Sequence, residues 1–351
     1  MKKMTSFYEN LLNFIICPNS KETLELVKDQ NTITEYTEGL KIGKLGLRSS
    51  FLPRGEITGF LKNISGQYIY PIINKIPLLT PQSNIVDAKS SSAQNKGRRN
   101  NINDAKEKSF QSQMDAYSKI DERYYKDLHR AIQEVRISNY YSRFIGKNIL
   151  DVGNGGVTLE DQVGKEIAPK ISSFISVDKS YSMLNNSETN QNCVLGDGFN
   201  LPFADNAFDY VLFNGVIHHL GKKRGQSQEE NIKIFCSECL RVSRKGIIFS
   251  DFFIPKFAEW IESLIVKIFG YMATYVYSKK SLLKIFKRLG YQIKEMKLKP
   301  ITTLIPPQKM VPPILFLEWL RVPAFVIPYT FVFGVILKSN PDHDLKNTLE
   351  K

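Results

Sequence analysis

The pattern of hydrophobic and polar positions changes twice along the 351-residue chain. Residues 1–82 open with a helix-like repeat at Phe7, Leu11 and Phe14, and then become rich in β-forming residues. Residues 83–109 are rich in Ser, Asn and Lys, and they carry almost no large apolar side chain. Such a segment cannot bury enough surface to offset the entropy of ordering it. The pattern therefore predicts a small N-terminal α+β domain (1–82) and a flexible linker (83–109).

From about Phe110, short apolar runs alternate with helical stretches. The predicted strands are Asn148–Val152, Phe174–Val177, Cys193–Leu195, Tyr210–Phe213, Gly246–Phe249, Tyr291–Ile293 and Phe331–Leu337. The predicted helices are Tyr124–Ile145, Asn231–Val242 and Lys280–Leu289. Continuous apolar strands divided by helices are typical of a parallel sheet that is covered on both faces. Residues 110–340 are therefore predicted to form an α/β domain with a mostly parallel, seven-stranded sheet.

Composition narrows the class of protein only a little. An apolar fraction of 42% is ordinary for a globular protein, whereas the net charge of +13 favours anionic partners without choosing among phosphate compounds, nucleic acid and acidic membranes. Four cysteines in a chain of this length do not make a disulfide framework, which fits a reducing cytoplasm. The apolar run after Met1-Lys2-Lys3 is interrupted by polar residues, so it makes a poor signal peptide.

Three predicted strands end in residues that suit a nucleoside ligand. The first runs into the glycine loop Asp151–Gly156, the second ends at Asp178, and the third is followed by Asp197-Gly198-Phe199. Taken singly, these are a tight turn, a helix cap and a turn with a buried Phe. Taken in order at the carboxyl ends of successive strands, they predict a loop against the ligand, a carboxylate for a ribose diol, and a carboxylate with an aromatic face for adenine.

These segments, together with the run Leu201-Pro202-Phe203-Ala204-Asp205 and Phe208-Asp209, resemble the class I S-adenosylmethionine (SAM)-dependent methyltransferases. The similarity is to the type 11 subgroup, which includes quinone-biosynthesis enzymes. The resemblance implies a Rossmann-like fold, SAM as cofactor and methyl transfer as the activity. It also implies cofactor-binding roles for Asp151, Gly153, Gly155, Asp178, Asp197, Gly198, Phe199 and Asn214, and a structural role for Asp209. One departure is Val157, which stands where the family usually has a third glycine, while Gly156 lies one place earlier.

The N-terminal segments Leu11–Pro18 and Tyr70–Leu79 resemble the small zinc-ribbon-like domain of the tRNA-methyltransferase activator family. Zinc forms of that domain need two closely spaced pairs of thiolates. Here Cys17 remains, but the matching positions are Ser20, Asn63 and Gly66, so we predict no zinc and a domain kept for packing or partner contact.

A further pair of cysteines, Cys236 and Cys239, lies one helical turn apart in a predicted helix. No second pair stands near them in the sequence. We interpret them as core residues and not as a metal or redox site.

The sequence gives fewer indications of the residues that bind the methyl acceptor. His218 and His219 follow the fourth predicted strand, where a histidine can take a proton at neutral pH, although the sequence favours a structural pair at a helix start over a catalytic one. The apolar stretches 252–277 and 300–328 predict a hydrophobic cap over the acceptor. Neither offers about 20 uninterrupted apolar residues, so no transmembrane helix is predicted.

Beside the cap, the basic run Lys279–Arg288 fits either contact with an anionic bilayer or a solvated helix face. The main hypothesis is a methyltransferase acting on a small-molecule or lipid-linked acceptor, in the cytoplasm or peripherally at the membrane. The alternatives are an RNA methyltransferase, and a non-catalytic scaffold or activator that keeps the fold.

Overall fold

The computed structural model describes residues 8–47, 53–87, 141–186, 192–220, 227–253, 278–299 and 330–337. They comprise an N-terminal block, whose described residues are 8–47 and 53–87, and a large α/β unit. Two predictions fall mostly outside them. These are the helix Tyr124–Ile145, of which only a short 3-10 helix at Tyr141–Phe144 and Ile145 are described, and the cap segments beyond Phe253 and Lys299.

The N-terminal block consists of short strands and one helix. Its strands are β1 (Leu24–Leu26), β2 (Leu45–Leu47), β3 (Ile57–Asn63), β4 (Ile69–Ile73), β5 (Ile76–Pro77) and β6 (Ile85–Asp87). Strands β1, β3, β4 and β5 pair in that order as an antiparallel sheet, and β2 pairs with β6. A helical turn at 8–12 precedes them, as the apolar repeat predicted, and helix α1 (Gln30–Lys41) connects β1 to β2.

The structure adds two features of this block that the sequence analysis did not identify. The β-rich composition concealed helix α1, because its Thr, Tyr and Ile residues favour strands. The Asp29 side chain nevertheless caps the helix by accepting from the Thr32 N–H at 2.8 Å, and tertiary packing buries Leu40. The block also continues past residue 82, where the linker was predicted to begin. Asn84 is buried and its side chain accepts from the Ile69 N–H at 2.9 Å, and strand β6 follows directly.

A seven-stranded sheet organises the described part of the α/β unit. Its strands are β7 (Asn148–Val152), β8 (Ser173–Asp178), β9 (Cys193–Leu195), β10 (Phe208–Asn214), β11 (Ser243–Phe253), β12 (Gln292–Lys299) and β13 (Thr330–Leu337). The spatial order is β12-β13-β11-β10-β7-β8-β9. All pairs from β11 to β9 are parallel, whereas β13 runs antiparallel to both of its neighbours. The predicted α/β class and mostly parallel strands are confirmed.

Apolar side chains bury both faces of this sheet. The helices are α2 (Leu159–Val163), α3 (Tyr181–Asn186), α4 (Gln228–Val242) and α5 (Lys279–Arg288). Adjacent residues of one strand enter different cores: Leu150 belongs to the same hydrophobic cluster as Phe235 of α4, whereas Ile149 belongs to a second cluster with Phe144 and Val163. Because successive side chains on a strand point to opposite faces, this division explains why the strands read as continuous apolar runs.

The N-terminal block packs directly against the β9 end of the large sheet. The Leu79 N–H donates to the Leu195 carbonyl of β9 at 2.8 Å, and the Ile16 N–H donates to the Pro202 carbonyl at 3.0 Å. Phe14 stacks on Phe208 with ring centroids 5.1 Å apart. The two regions therefore share one hydrophobic core, whose residues run from Tyr8 to Ile336. None of the described helices is long and apolar enough to cross a membrane.

Candidate functional site

Four neighbouring strands bring the predicted site residues to one edge of the sheet. Strands β10, β7, β8 and β9 lie side by side and run parallel, so their carboxyl ends meet at the same edge. The order in which successive strands are added across the sheet reverses between β7 and β10. Strands β8 and β9 lie on one side of β7, whereas β10 and β11 lie on the other. In open α/β sheets, ligands bind outside the strands' carboxyl ends at such a reversal. The edge at β7 and β10 is therefore the candidate site.

Asp151, next to last in β7, organises a buried polar cluster. Its Oδ2 accepts from the Asn154 Nδ2 at 2.7 Å and from the Gln162 Nε2 at 2.9 Å, and all three side chains are buried. The Asn154 Oδ1 is also buried, and no donor among the described residues reaches it. A buried carbonyl oxygen without a donor is costly, so this atom suits an N–H group of a bound ligand.

The glycine loop after β7 is shaped by close packing. Gly156 has φ +81°, and a Cβ added there would lie 2.2 Å from the Met183 carbonyl oxygen of α3. Gly153 has φ +74°, and an added Cβ would lie 2.7 Å from the Val216 side chain. Gly156, which precedes Val157, is therefore required at this position because helix α3 approaches the loop too closely for a side chain.

Asp178, the last residue of β8, links that strand to the glycine loop. Its Oδ2 accepts from the Gly155 N–H at 2.9 Å, and its Oδ1 accepts from the Ser180 N–H at 2.8 Å. Burial raises the pKa of the Asp178 carboxyl, while the two backbone N–H groups and Lys179 oppose the shift. The capping interaction is thus observed, whereas ligand binding by Asp178 stays a prediction, for which each carboxylate oxygen has a second lone pair.

The Asp197-Gly198-Phe199 turn follows β9. The Asp197 Oδ1 accepts from the Phe199 N–H at 3.0 Å, so this carboxylate fixes the turn. Phe199 is half-buried and meets Phe235 edge to face, with ring centroids 6.1 Å apart. A Cβ added to Gly198 would lie 2.7 Å from the Phe235 ring. The absence of a side chain at this position therefore allows the turn to pack closely against α4.

The signature run Leu201–Asp205 is tied to α4 by an arginine that sequence reasoning missed. Arg241 donates from Nη2 to the Leu201 carbonyl at 2.9 Å and from Nη1 to the Phe203 carbonyl at 2.8 Å. It also pairs with Glu238 and Asp205. A single guanidinium with five donors thereby holds the segment that leads from β9 to β10.

Asp209 has the structural role that was predicted for it. Its Oδ2 accepts from the Asn148 N–H at 3.0 Å, so it fixes the start of β7 against β10. It lies at the opposite end of the strands from the candidate site, since Asn148 is the first residue of β7.

Asn214, at the end of β10, faces its register partner on β11. Asn214 and Ser250 are paired in the parallel ladder, and the Ser250 Oγ donates to the Asn214 Oδ1 at 2.5 Å. The Asn214 Nδ2 donates to the Tyr141 hydroxyl at 3.3 Å. The side chain is half-buried and held from both sides at the sheet edge.

The histidine pair occupies the 3-10 helix Ile217–His219 beyond β10, and its two members differ. His218 is buried, and its Nδ1 lies 2.6 Å from the Asp251 Oδ1 of β11. Solvent reaches part of His219, whose ring centroid lies 3.9 Å from that of His218. Crowding by surrounding atoms and the adjacent His218 lower the pKa of His219 to about 3. The geometry therefore distinguishes a buried histidine that is paired with a carboxylate from an exposed neighbour.

Sequence reasoning missed Asn154, Gln162 and Asp251. Asn154 and Gln162 have a local signal, because they lie three and eleven residues after Asp151 and the glycine loop turns the chain back toward it. Asp251 has no local signal. It meets His218 only because β11 lies beside β10, 33 residues apart in the chain.

The positions matched to lost zinc ligands do converge in the N-terminal block. The Ser20 N–H donates to the Cys17 Sγ at 3.3 Å, and the Asn63 Nδ2 donates to the Ser20 Oγ at 3.3 Å. Ser20 and Ser65 hydroxyls, with the Asn63 amide, donate to Glu22, and these hydrogen bonds lower the pKa of its carboxyl. The described residues contain no group of three or more His, Cys, Asp or Glu side chains that could hold a metal.

Cys236 and Cys239 are buried in the core on α4, as predicted. Burial raises the pKa of the Cys236 thiol to about 12 and that of Cys239 well above its usual range. Thiols of this kind are poor nucleophiles and poor metal ligands.

Comparison with known proteins points to one family. Residues 150–250 match the type 11 family described as "Methyltransferase domain". The match runs from Leu150 in β7 to Ser250 in β11, so it contains nearly all of the strand ends described above and stops one residue before Asp251. No curated protein matches the chain.

The comparison with solved structures gives matches of low identity and low TM-score. A SAM-dependent methyltransferase from Thermotoga maritima is 16% identical, with a TM-score of 0.39 over 65% of this chain and 98% of that chain. One from Methanosarcina mazei is 14% identical, with a TM-score of 0.39 over 56% and 96%. The magnesium protoporphyrin IX methyltransferase of Synechocystis, solved with bound S-adenosylhomocysteine (SAH), is 14% identical, with a TM-score of 0.38 over 61% and 83%.

Because these TM-scores are low, the assignment depends on the family match. The matched segment also supplies the sheet edge at which the strand order reverses. Residues 150–250 are therefore similar to the methyltransferase domain of that family.

Proposed function

We propose that this enzyme methylates a small-molecule or lipid-like acceptor, with the cofactor at the edge formed by β7, β8, β9 and β10. The observation that carries the proposal is the convergence of four strand ends at the order reversal, inside the segment that matches the methyltransferase family. Each strand end brings a different polar group, so one ligand lying along the edge would meet all of them.

The side chains at the edge suit the parts of SAM in turn. The buried, donorless Asn154 Oδ1 beside Asp151 suits the ammonium of the amino-acid portion. Asp178 suits the ribose hydroxyls, because its carboxylate is already oriented by two backbone N–H groups. Asp197 and the half-buried ring of Phe199 suit adenine, and Asn214 stands beside β7 on the methionine side. The residues present therefore fit the cofactor.

The catalytic contribution of the chain is orientation and proton removal. When bound, SAM supplies a methyl group on a sulfonium: the acceptor atom forms a bond to the methyl carbon, the carbon–sulfur bond breaks, and its electron pair stays on sulfur to give SAH. Holding acceptor and methyl in line contributes about 7–11 kcal/mol in well-oriented reactions. His218, buried beside β10 and β11, is the residue to which we assign the acceptor's proton, with His219 packed on its ring.

The predicted cap segments lie outside the described residues, but helix α5, which falls between them in the sequence, is described. Its apolar side chains Leu282, Ile285 and Phe286 are buried in the core, while Lys280, Lys284 and Lys287 are exposed. We keep peripheral contact with an anionic membrane, from a cytoplasmic location, as part of the proposal. Wild-type protein should float with vesicles of phosphatidylcholine and phosphatidylserine at low salt, and a Lys280→Glu/Lys284→Glu/Lys287→Glu variant should not. Failure of the wild type to float would remove the membrane contact.

For the N-terminal block we propose a zinc-ribbon-like origin with the metal site replaced by hydrogen bonds. The support is the convergence of Cys17, Ser20 and Asn63 around Glu22. The block's extensive packing against β9 indicates that its retained role is to stabilise the sheet edge.

Calorimetric titration with SAM and SAH tests the function directly. Wild-type protein should bind both, and Asp197→Ala should weaken binding by about 10–100-fold, the effect of losing a hydrogen bond to a charged group. Asp205→Ala is the matched control, because Asp205 lies in the same connection between β9 and β10 but is exposed and pairs with Arg241. Absence of SAM binding by the folded wild type would favour the scaffold alternative instead.

A further inference from the structure

The buried His218–Asp251 pair differs from an ordinary surface ion pair. The His218 Nδ1 and the Asp251 Oδ1 are 2.6 Å apart, and the two side chains are only 8% and 3% exposed. His218 lies on the 3-10 helix after β10, whereas Asp251 lies on β11. Because β10 and β11 are adjacent and parallel, the pair joins the two strand ends on the acceptor side of the order reversal.

The second oxygen of Asp251 is also occupied. Its Oδ2 accepts from the backbone N–H of Ile217 at 2.6 Å. A backbone N–H can only donate, so this oxygen must accept, and the orientation of the carboxylate is fixed. The carboxylate therefore presents its other oxygen, which is an acceptor as well, to the imidazole.

The consequence concerns the tautomer of His218. An ionised carboxylate has no hydrogen to give, so the His218 Nδ1 must carry the hydrogen of the 2.6 Å contact. This holds for the neutral ring and for the protonated ring alike. In the neutral ring, Nε2 is therefore the nitrogen with the acceptor lone pair.

We propose that Asp251 is a positioning residue of the methyl-transfer site, fixing His218 as the Nδ1–H tautomer and making Nε2 its proton-accepting nitrogen. The catalytic consequence rests on the proposed function, whereas the tautomer assignment does not. The same division of roles between a buried aspartate and a histidine base recurs on unrelated folds.

Replacing Asp251 by Asn should invert this tautomer without changing the size of the side chain. Asn has one oxygen and one NH2 group, and the Ile217 N–H still requires the oxygen. The NH2 group then faces the His218 Nδ1, which must accept, so the ring hydrogen moves to Nε2. A histidine in this form cannot take a proton from the acceptor through Nε2.

The test is the nitrogen spectrum of the full-length protein labelled with 15N-histidine. Two-bond correlations between ring protons and nitrogens distinguish the two tautomers, and His218→Gln identifies the signals. We expect Nδ1–H in the wild type, Nε2–H in Asp251→Asn, and unchanged SAM affinity by calorimetry in both. His219→Gln is the matched control, and its His218 signals should keep the wild-type pattern.

The outcomes separate the inference from the proposed function. An Nε2–H signal for His218 in the wild type would overturn the assignment, and this spectrum decides the matter even if Asp251→Asn fails to fold. Retention of Nδ1–H in a folded Asp251→Asn variant would overturn it as well. Wild-type protein that shows the Nδ1–H form but binds no SAM would leave the assignment standing and remove the methyltransferase proposal.

With a small-molecule and lipid extract as acceptor and radiolabelled SAM as donor, incorporation of label by Asp251→Asn should fall by about 10²–10⁴-fold. This is the usual contribution of a positioned acid or base. A purely structural Asp251 would instead lower SAM affinity and melting temperature together.

Discussion

The two sides of the order reversal in the main sheet are built by different kinds of contact. On the cofactor side, Asp178 and Asp197 accept from backbone N–H groups close to them in sequence or in the glycine loop. On the other side, which is formed by β10 and β11 and is called the acceptor side here, Asn214 at the proposed methionine end of the cofactor and His218 bond to Ser250 and Asp251. These partners are more than thirty residues away on the neighbouring strand. The comparison teaches that one half of the site is assembled by each strand's own turn, and the other half by strand register.

The cofactor side also has a support that the acceptor side lacks among the described residues. The N-terminal block adds Leu79 to the β9 edge and packs Phe14 and Ile16 against the segment that follows Asp197. An uncovered edge strand would expose unpaired N–H and C=O groups. The block therefore completes the cofactor half of the sheet.

Removing this support should have the largest effect. A chain that begins at residue 88 exposes Phe203, Phe208 and Leu201, each of which is fully buried in the complete chain. Since burying such a side chain contributes about 1.5–3 kcal/mol, we expect an aggregating or unfolded product, measured by solubility and circular dichroism. Co-expression of residues 1–87 as a separate chain should restore solubility. A soluble, SAM-binding product from residue 88 onward would show that the cofactor half does not depend on the block.

Asp151→Ala should be next. It leaves the Asn154 and Gln162 amides buried without their acceptor, at about 1–3 kcal/mol for each donor. We expect a marked fall in melting temperature and loss of SAM binding by calorimetry. Asp161→Ala is the control, because Asp161 is an exposed carboxylate on the same helix as Gln162. Equal destabilisation by both variants would contradict the central place of Asp151.

Asp178→Asn should have a smaller effect, and one that depends on pH. Because burial raises the pKa of Asp178 in the folded protein, the folded state binds more protons than the unfolded state between the ordinary aspartate value of about 3.9 and the raised value. In that window, the free energy of unfolding of the cofactor-free protein should therefore increase as the pH falls.

SAM affinity should fall over the same window, because the protonated carboxyl loses its charge toward the ribose hydroxyls. Asp178→Asn should remove both dependences, as measured by chemical denaturation and calorimetry across the pH range. Identical pH profiles for the variant and the wild type would show that Asp178 does not titrate as the site requires.

Ser250→Ala should have the smallest effect and probes the acceptor side. It removes the Ser250 hydroxyl from the Asn214 Oδ1, and a typical hydrogen bond contributes about 0.5–1.5 kcal/mol. We expect a small loss of unfolding free energy by denaturation and little change in the backbone pairing of β10 with β11. If Ser250→Ala lowered the unfolding free energy as much as Asp151→Ala does, both sides of the site would depend equally on single buried side chains.

The sequence predicted the strands well where apolar runs were continuous, and β9 was placed at Cys193–Leu195 as observed. It failed at α1, where β-forming residues adopt a helix because of the Asp29 cap and tertiary packing, and at residues 83–87, where a polar segment is paired and buried. The cofactor candidates are brought together at one edge. The acceptor candidates are not alike, since His218 is buried with Asp251, whereas solvent reaches His219.

By itself, the sequence determined the α/β class and the order of glycine loop and acids, because the apolar runs and the residues at the end of each run are local properties. Tertiary structure alone decided that the N-terminal block completes the β9 edge and that Asp251 holds His218. Both depend on which strands become neighbours, and the free energy that selects neighbours is distributed over the whole core.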